Sequence, residues 1–240
     1  MRTRTRRVGR IVAGGAGALA LLGFGYLARN WYNYGKVSTA GTADPLLDRF
    51  MPKYEVREYH EVRVAAPVDI AFEAARAMDI NRSPIVRGIF RARQLALRGE
   101  EAVAPSRPLL DETLALGWAV LAEEPGREIV MGAVTQPWLA NVRFEGLSPN
   151  EFAAFDRPAY VKIAFTLAAS PVDAGSSIVR SETRVATTDA YARERFRRYW
   201  TLVSPGVRVI RLESMRLVRA DAERRARAAR ARQLAAEGQP

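Results

Sequence analysis

SETRVATTDAYARERFRRYW, residues 181–200, is where a strand hands over to a helix, and its reading decides the fold. Its first part completes SIVRSETRVATT (177–188), where period-two alternation puts Val179, Ser181, Thr183 and Val185 on one face and Arg180, Glu182 and Arg184 on the other. Asp189 follows as an N-cap, a carboxylate placed to accept a backbone N–H of the first helical turn. Beyond it, at about 100° per residue, Phe196, Tyr199, Val203, Val207, Ile210, Ser214 and Leu217 form one stripe. The stripe keeps its phase through Ser204-Pro205-Gly206, which predicts a single kinked helix rather than two unrelated pieces. The alternation of Arg180, Glu182 and Arg184 predicts a salt-bridged, solvent-exposed face.

Working outward, AYVKIAFTLAAS (159–170) is an antiparallel partner for 177–188 across the turn formers at 171–175; its face Val161, Ile163, Phe165 and Leu167 is wholly apolar. GWAVLAEEPGREIVMGAVTQPW (117–138) reads as a β-hairpin turning at Pro125-Gly126, with an indole near each outer end, and a strand-like run follows near 141–146. HEVRVAAP, from His60, is a half-buried strand, and Pro67 opens a helix through about Met78 whose first turns carry Asp69 and Glu73. SPIVRGIFRARQLAL (83–97) is a helical stretch interrupted by Gly88, and Gly99 to Glu112 is a loop.

At the N-terminus five arginines in residues 1–10 precede IVAGGAGALALLGFGYLA (11–28), an uncharged run spanning roughly 27 Å as a helix. It is read as an uncleaved transmembrane anchor, single-pass, with the basic segment cytoplasmic and the domain outside; Trp31, Tyr32 and Tyr34 form an interfacial belt. The alternative is export with signal cleavage. Residues 29–58 are a linker, 59–220 the folded domain, and 221–240 an Arg/Ala-rich C-terminal extension, a solvated helix with little apolar face.

Net charge is +11, but the arginines concentrate at the two ends and leave the body nearly neutral, so a nucleic-acid partner is not expected. With no cysteine and one histidine, disulfides, thiol catalysis, Cys-His sites and multi-His metal sites are excluded, and no cofactor is implied. His60 reads as an exposed strand-edge residue, and a Ser-His-Asp triad would require it specifically.

The order strand, helices, antiparallel strands and long terminal helix resembles the helix-grip fold of the SRPBCC superfamily, which includes START lipid-transfer domains and polyketide cyclases. HEVRVAAPVDIAFEAA, GWAVLAEEPGREIVMG, SETRVATTDAYARERFRRYW and the terminal helix carry the resemblance, over about residues 60–220. It implies an α+β fold, a curved antiparallel sheet around a long C-terminal helix, here preceded by a transmembrane helix, with an apolar cavity between sheet and helix. The expected function is binding of a hydrophobic small molecule or lipid. Trp118, Met131, Trp138, Ile163, Phe165, Tyr199 and Val203 would line the cavity, and Ser181 and Thr183 would orient the guest. Two alternatives stand beside it: a cyclase- or dehydrase-type enzyme using a buried carboxylate, and a filled-core scaffold. Gln136 is placed to hydrogen-bond a guest at the mouth, and Trp200, at the edge of the helix stripe, reads as a core indole that faces the sheet.

Overall fold

The computed structural model describes residues 25–26, 28–32, 34–36, 44–97 and 107–237. The domain runs α1 (Pro45–Asp48), β1 (Val56–Val64), α2 (Val68–Arg76), a 3-10 turn (Ile80–Arg82), α3 (Pro84–Leu97), α4 (Leu109–Ala115), β2 (Ala119–Glu124), β3 (Glu128–Thr135), β4 (Phe144–Glu145), α5 (Pro149–Ala154), β5 (Val161–Asp173), β6 (Ser176–Thr187) and α6 (Ala190–Glu237). The strands form one antiparallel sheet in the order β1-β6-β5-β3-β2, with β4 off the path on β3. The long terminal helix crosses one face of that sheet, which is the helix-grip arrangement.

Alternation divides the sheet into two faces. On the inner face, Val64, Ile129, Met131, Phe165, Leu167 and Val179 pack with Phe72 and Ala75 of α2 and with Val218, Ala222 and Ala226 of α6. Farther along the same face Val56, Val161, Val185 and Phe196 gather Trp138, Ile163, Tyr199 and Trp200. The outer face is covered by short elements: Leu47, Phe50 and Met51 around α1 and Phe152 of α5 close over Leu121, Val130, Val134 and Ala164. Gly132 makes that closure possible, because a Cβ there would sit 2.5 Å from Leu121 Cδ1 and 3.1 Å from the Phe152 ring.

Several expectations are corrected. β1 begins at Val56, four residues before His60, and the 29–58 stretch expected as a linker contributes Leu47, Phe50 and Met51 to the core. α3 passes Gly88 without a break. Within the expected loop, Pro108 opens α4; α5 was also missed, although Ser148 and Glu151 form a capping box, a signal present in the sequence. The hairpin turns at Gly126, whose φ of +73° suits glycine. Asp189 is the N-cap expected, accepting from Ala192 N at 2.6 Å, and α6 passes through Pro205 as one helix. It also continues past 220 to Glu237 with Ala222 and Ala226 in the core, so the extension is part of the same rod.

Residues 1–24 and 27 of the expected anchor region lie outside the described residues, and no helix among the described residues is long and apolar enough to cross a membrane. Most of the expected interfacial belt packs on protein. Tyr34 meets the Phe196 ring at 6.1 Å, Arg197 sits 4.0 Å over the Trp31 ring and donates to its carbonyl at 2.9 Å, and Asn30 donates to Ser204 Oγ at 2.9 Å. Tyr32 stays exposed. Burial pushes the Tyr34 hydroxyl up from its ordinary value, with Glu55 adding to the effect.

Candidate functional site between the sheet and the terminal helix

The pairing register brings the expected lining residues into rows across the inner face. One row reads Glu58, Thr183, Phe165, Met131; the next reads His60, Ser181, Leu167, Ile129; and on the other side lie Val56, Val185, Ile163 and Ala133. The face is polar at Glu58, His60, Ser181 and Thr183, in the middle of β1 and β6, and apolar along β5 and β3.

Burial along these rows is uneven. Met131, Phe165 and Ser181 are buried, whereas Ile163 and Thr183, on the two central strands, are only half-buried, as are Val203, Val207 and Ile210 on the facing side of α6. An inward-facing residue on a middle strand keeps accessible area only where the layer above leaves it uncovered, so Ile163 and Thr183 are not fully covered. Trp118 borders this region, edge-on to Phe165 at 5.4 Å and 5.3 Å from Phe144. Trp138 and Tyr199, both half-buried, stand at the other end beside Trp200, which stacks on Phe196 at 5.8 Å. Arg93 of α3 spans that end, donating to the Tyr199 hydroxyl at 3.3 Å and to the Pro137 carbonyl at 3.4 Å. Gln136 is occupied structurally, donating to the Ala159 carbonyl at 2.9 Å.

The polar end contains residues the sequence reading missed. Arg211 descends from α6 and donates to Ser181 Oγ at 3.3 Å and to Thr183 Oγ1. Glu58 sits beside it, with Arg208 Nε at 3.5 Å from Oε1 and His60 Nε2 at 3.5 Å from Oε2. His60 therefore does not lie exposed at the strand edge. Val56, Glu58, His60, Val62 and Val64 share one face of β1, and the alternation already visible at Val62 and Val64 extends to it. Its Nε2 is buried without a hydrogen-bond partner. Burial pushes the Arg211 guanidinium below its ordinary value, and the Glu58 carboxylate opposes that shift.

The outer face shows the opposite treatment of charge. Glu182 and Arg184, expected on an exposed face, have side chains 1% and 2% exposed, because α1 and Met51 cover them. Glu182 binds Arg57 at 2.7 Å and Arg184 at 2.7 Å, and Arg184 also reaches Asp48 at 2.5 Å and the Met51 carbonyl at 2.9 Å. These contacts hold the Glu182 carboxyl below its ordinary value against the cost of burial, and hold the Arg184 guanidinium above its own. Nearby, Glu128 accepts from Thr166 at 2.7 Å and faces Arg180 at 3.1 Å; burial and the adjacent Asp44 carboxylate push it up.

Two cavities also open among the described residues, both outside the grip. One, of about 480 Å³, lies between α2 and the end of α6 and is lined by Asp69, Ile70, Glu73, Arg225, Ala229 and Arg232. The other, of about 200 Å³, lies beside Glu128 and Arg180. No group of three or more potential metal ligands occurs among the described residues.

No family model matches the chain, and no curated relative matches it. Among solved structures, the chain is similar to the Zhui aromatase/cyclase from Streptomyces sp. R1128, at 16% identity and a TM-score of 0.29, covering 72% of this chain and 97% of that one. It is similar to norcoclaurine synthase from Thalictrum flavum at 13% identity and a TM-score of 0.28, covering 78% and 94%. A hypothetical protein of Helicobacter pylori gives 6% identity and a TM-score of 0.36, covering 79% and 98%. Likeness at this level carries no inference about activity.

Proposed function

We propose that this protein binds a hydrophobic small molecule or lipid between the inner face of the sheet and α6. The observation that carries the reading is the half-burial of Ile163 and Thr183 on central strands of the face that α6 crosses, with Val203, Val207 and Ile210 of that helix also half-buried. A guest seated there would cover Phe165, Met131, Trp118 and Trp138 with its apolar part. Burial would drive association at roughly 25 cal/mol per Å² before ordering costs. Native mass spectrometry of the full-length chain, released from detergent, tests the reading. Bound apolar mass supports it, and a bare chain that takes up none of a panel of lipids and smaller apolar molecules overturns it.

Glu58 and His60 favour a second reading, a cyclase- or dehydrase-type enzyme, since they bring a carboxylate and an imidazole to the same space. The same measurement separates the two: a guest recovered unchanged supports binding alone, and one recovered lighter by one water supports dehydration.

The proposed setting is a membrane, with 11–28 as a single-pass anchor, the N-terminus cytoplasmic and the domain outside, or export after cleavage as the alternative. The charge asymmetry about the apolar run supports this orientation. Protease protection in intact cells tests it: digestion of the domain from outside supports the orientation, and protection until lysis overturns it.

A further inference from the structure

The two ends of the inner face differ in chemistry, and the difference restricts what can occupy it. Six polar side chains converge at the β1/β6 end: Glu58 and His60 from β1, Ser181 and Thr183 from β6, and Arg208 and Arg211 from α6. Leaving His60 aside, this gathers two guanidinium groups against one carboxylate. Elsewhere the interior arginines are matched within the chain, as Arg57 and Arg184 are by Glu182. For Arg211, among the described residues, the hydrogen bonds end on two hydroxyls, and no carboxylate lies within ion-pair distance. A half-buried guanidinium whose hydrogen bonds end on neutral acceptors keeps unspent charge that an anion can complete.

The hydroxyls strengthen the point. Each spends an oxygen lone pair on Arg211 and keeps its own O–H free to donate. The His60 Nε2, beside Ser181 in the register, is buried without a hydrogen-bond partner, 3.5 Å from Glu58 Oε2, and offers a further donor in one of its tautomers. Guanidinium N–H groups flanked by hydroxyl donors make a receptor for a charged oxygen. From that point the row through Phe165 and Met131 is apolar.

We infer that the guest is an amphiphilic acid, its single anionic head, a carboxylate, seated against Arg211, Ser181 and Thr183 and its apolar body running toward Phe165, Met131 and Trp118. The inference rests on the binding reading above and specifies the chemistry of the guest. The head restores local neutrality, and the guest's polarity follows the gradient along the row. The partial burial of Arg211, which lowers the guanidinium's proton affinity, is offset by such a head.

The test is a competition on the full-length chain, with equimolar dodecanoate and methyl dodecanoate titrated together and the bound species counted by native mass spectrometry. The wild type is expected to favour the acid by about tenfold or more, the scale of a charge-assisted hydrogen bond. Arg211→Gln should bring the ratio near one while ester occupancy persists, and Arg211→Lys should retain part of the preference. Glu58→Gln should increase it by removing the competing carboxylate. Circular dichroism of each variant confirms that the fold is intact. Equal binding of acid and ester by the wild type, or an undiminished preference in Arg211→Gln, overturns the acid inference and leaves the binding reading standing. Failure to take up either probe sinks both.

Discussion

Each face of the sheet holds an arginine, buried on the outer face and half-buried on the inner, and they treat it in opposite ways. On the outer face Arg184 is enclosed by Glu182, Asp48 and the Met51 carbonyl. On the inner face Arg211 ends on Ser181 and Thr183. A charge whose partner is supplied by its own chain acts as a fastening, and here it fixes α1 on the sheet. A charge whose partner is missing leaves the folded state with something to gain from a visitor. The contrast coincides with packing: Leu47, Met51, Val130 and Phe152 seal the outer layer, while Ile163 and Thr183 stay half-buried under α6.

The largest effect should come from breaking the fastening. Glu182→Ala leaves Arg57 and Arg184 buried without their shared carboxylate and is expected to cost about 3–5 kcal/mol of stability in chemical denaturation. A loss below about 1 kcal/mol would show that the outer face is not held by this pair. The matched experiment on the other face is Arg211→Met, which removes a half-buried charge and leaves its two hydroxyl acceptors, with the neighbouring Glu58 still facing Arg208. Its expected stability change is within about 1 kcal/mol of zero, with acid binding lost. A cost equal to that of Glu182→Ala would erase the distinction between the faces.

That distinction was only partly legible in the sequence. Alternation identified the inner residues of β5 and β6, and the 196–217 stripe identified the roof, because period-two and helical patterns survive wherever one side meets a core. Glu182 and Arg184 were misread because alternation says which residues share a face and not what later covers it; the cover comes from α1, over a hundred positions away. Arg211 was missed for a related reason. It lies at the margin of the helical stripe, where long side chains can point either way, and only the position of β6 decides. His60 was within reach, since Val62 and Val64 fix the parity of β1.

A smaller effect tests whether the inner face is truly unfilled. Ile163→Phe should add apolar bulk beside a half-buried central position, raising stability by about 1 kcal/mol and abolishing uptake of a guest. A loss of stability of similar size would indicate that the space is already occupied.

The smallest effect concerns an ill-matched charge on the outer face. Glu128 is pushed above its ordinary value, so the folded state holds that proton more tightly than the unfolded one. Its contribution to stability is therefore intact below the ordinary glutamate range and is lost as pH rises through the folded value. Glu128→Gln, which keeps an acceptor for Thr166 and offers a donor to the unpartnered Asp44 Oδ2, should flatten that decline. The gain over wild type is expected to be on the order of 1 kcal/mol at neutral pH, read from melting curves across the range. A difference independent of pH would assign Glu128 to the structural fastening instead.

Pro205 gives the roof a mechanical property. Lacking an N–H, it cannot bond back to the Thr201 carbonyl, so the rod's ladder of amide bonds loses a rung between Phe196 and Arg211. The lower rod is keyed into the core by Val218, Ala222 and Ala226, and the upper rod leans on Tyr34 and Trp138 through Phe196 and its neighbours. Bending stiffness is therefore lowest at the joint between two supported spans, and amide exchange should be fastest around that joint, while both flanks stay protected.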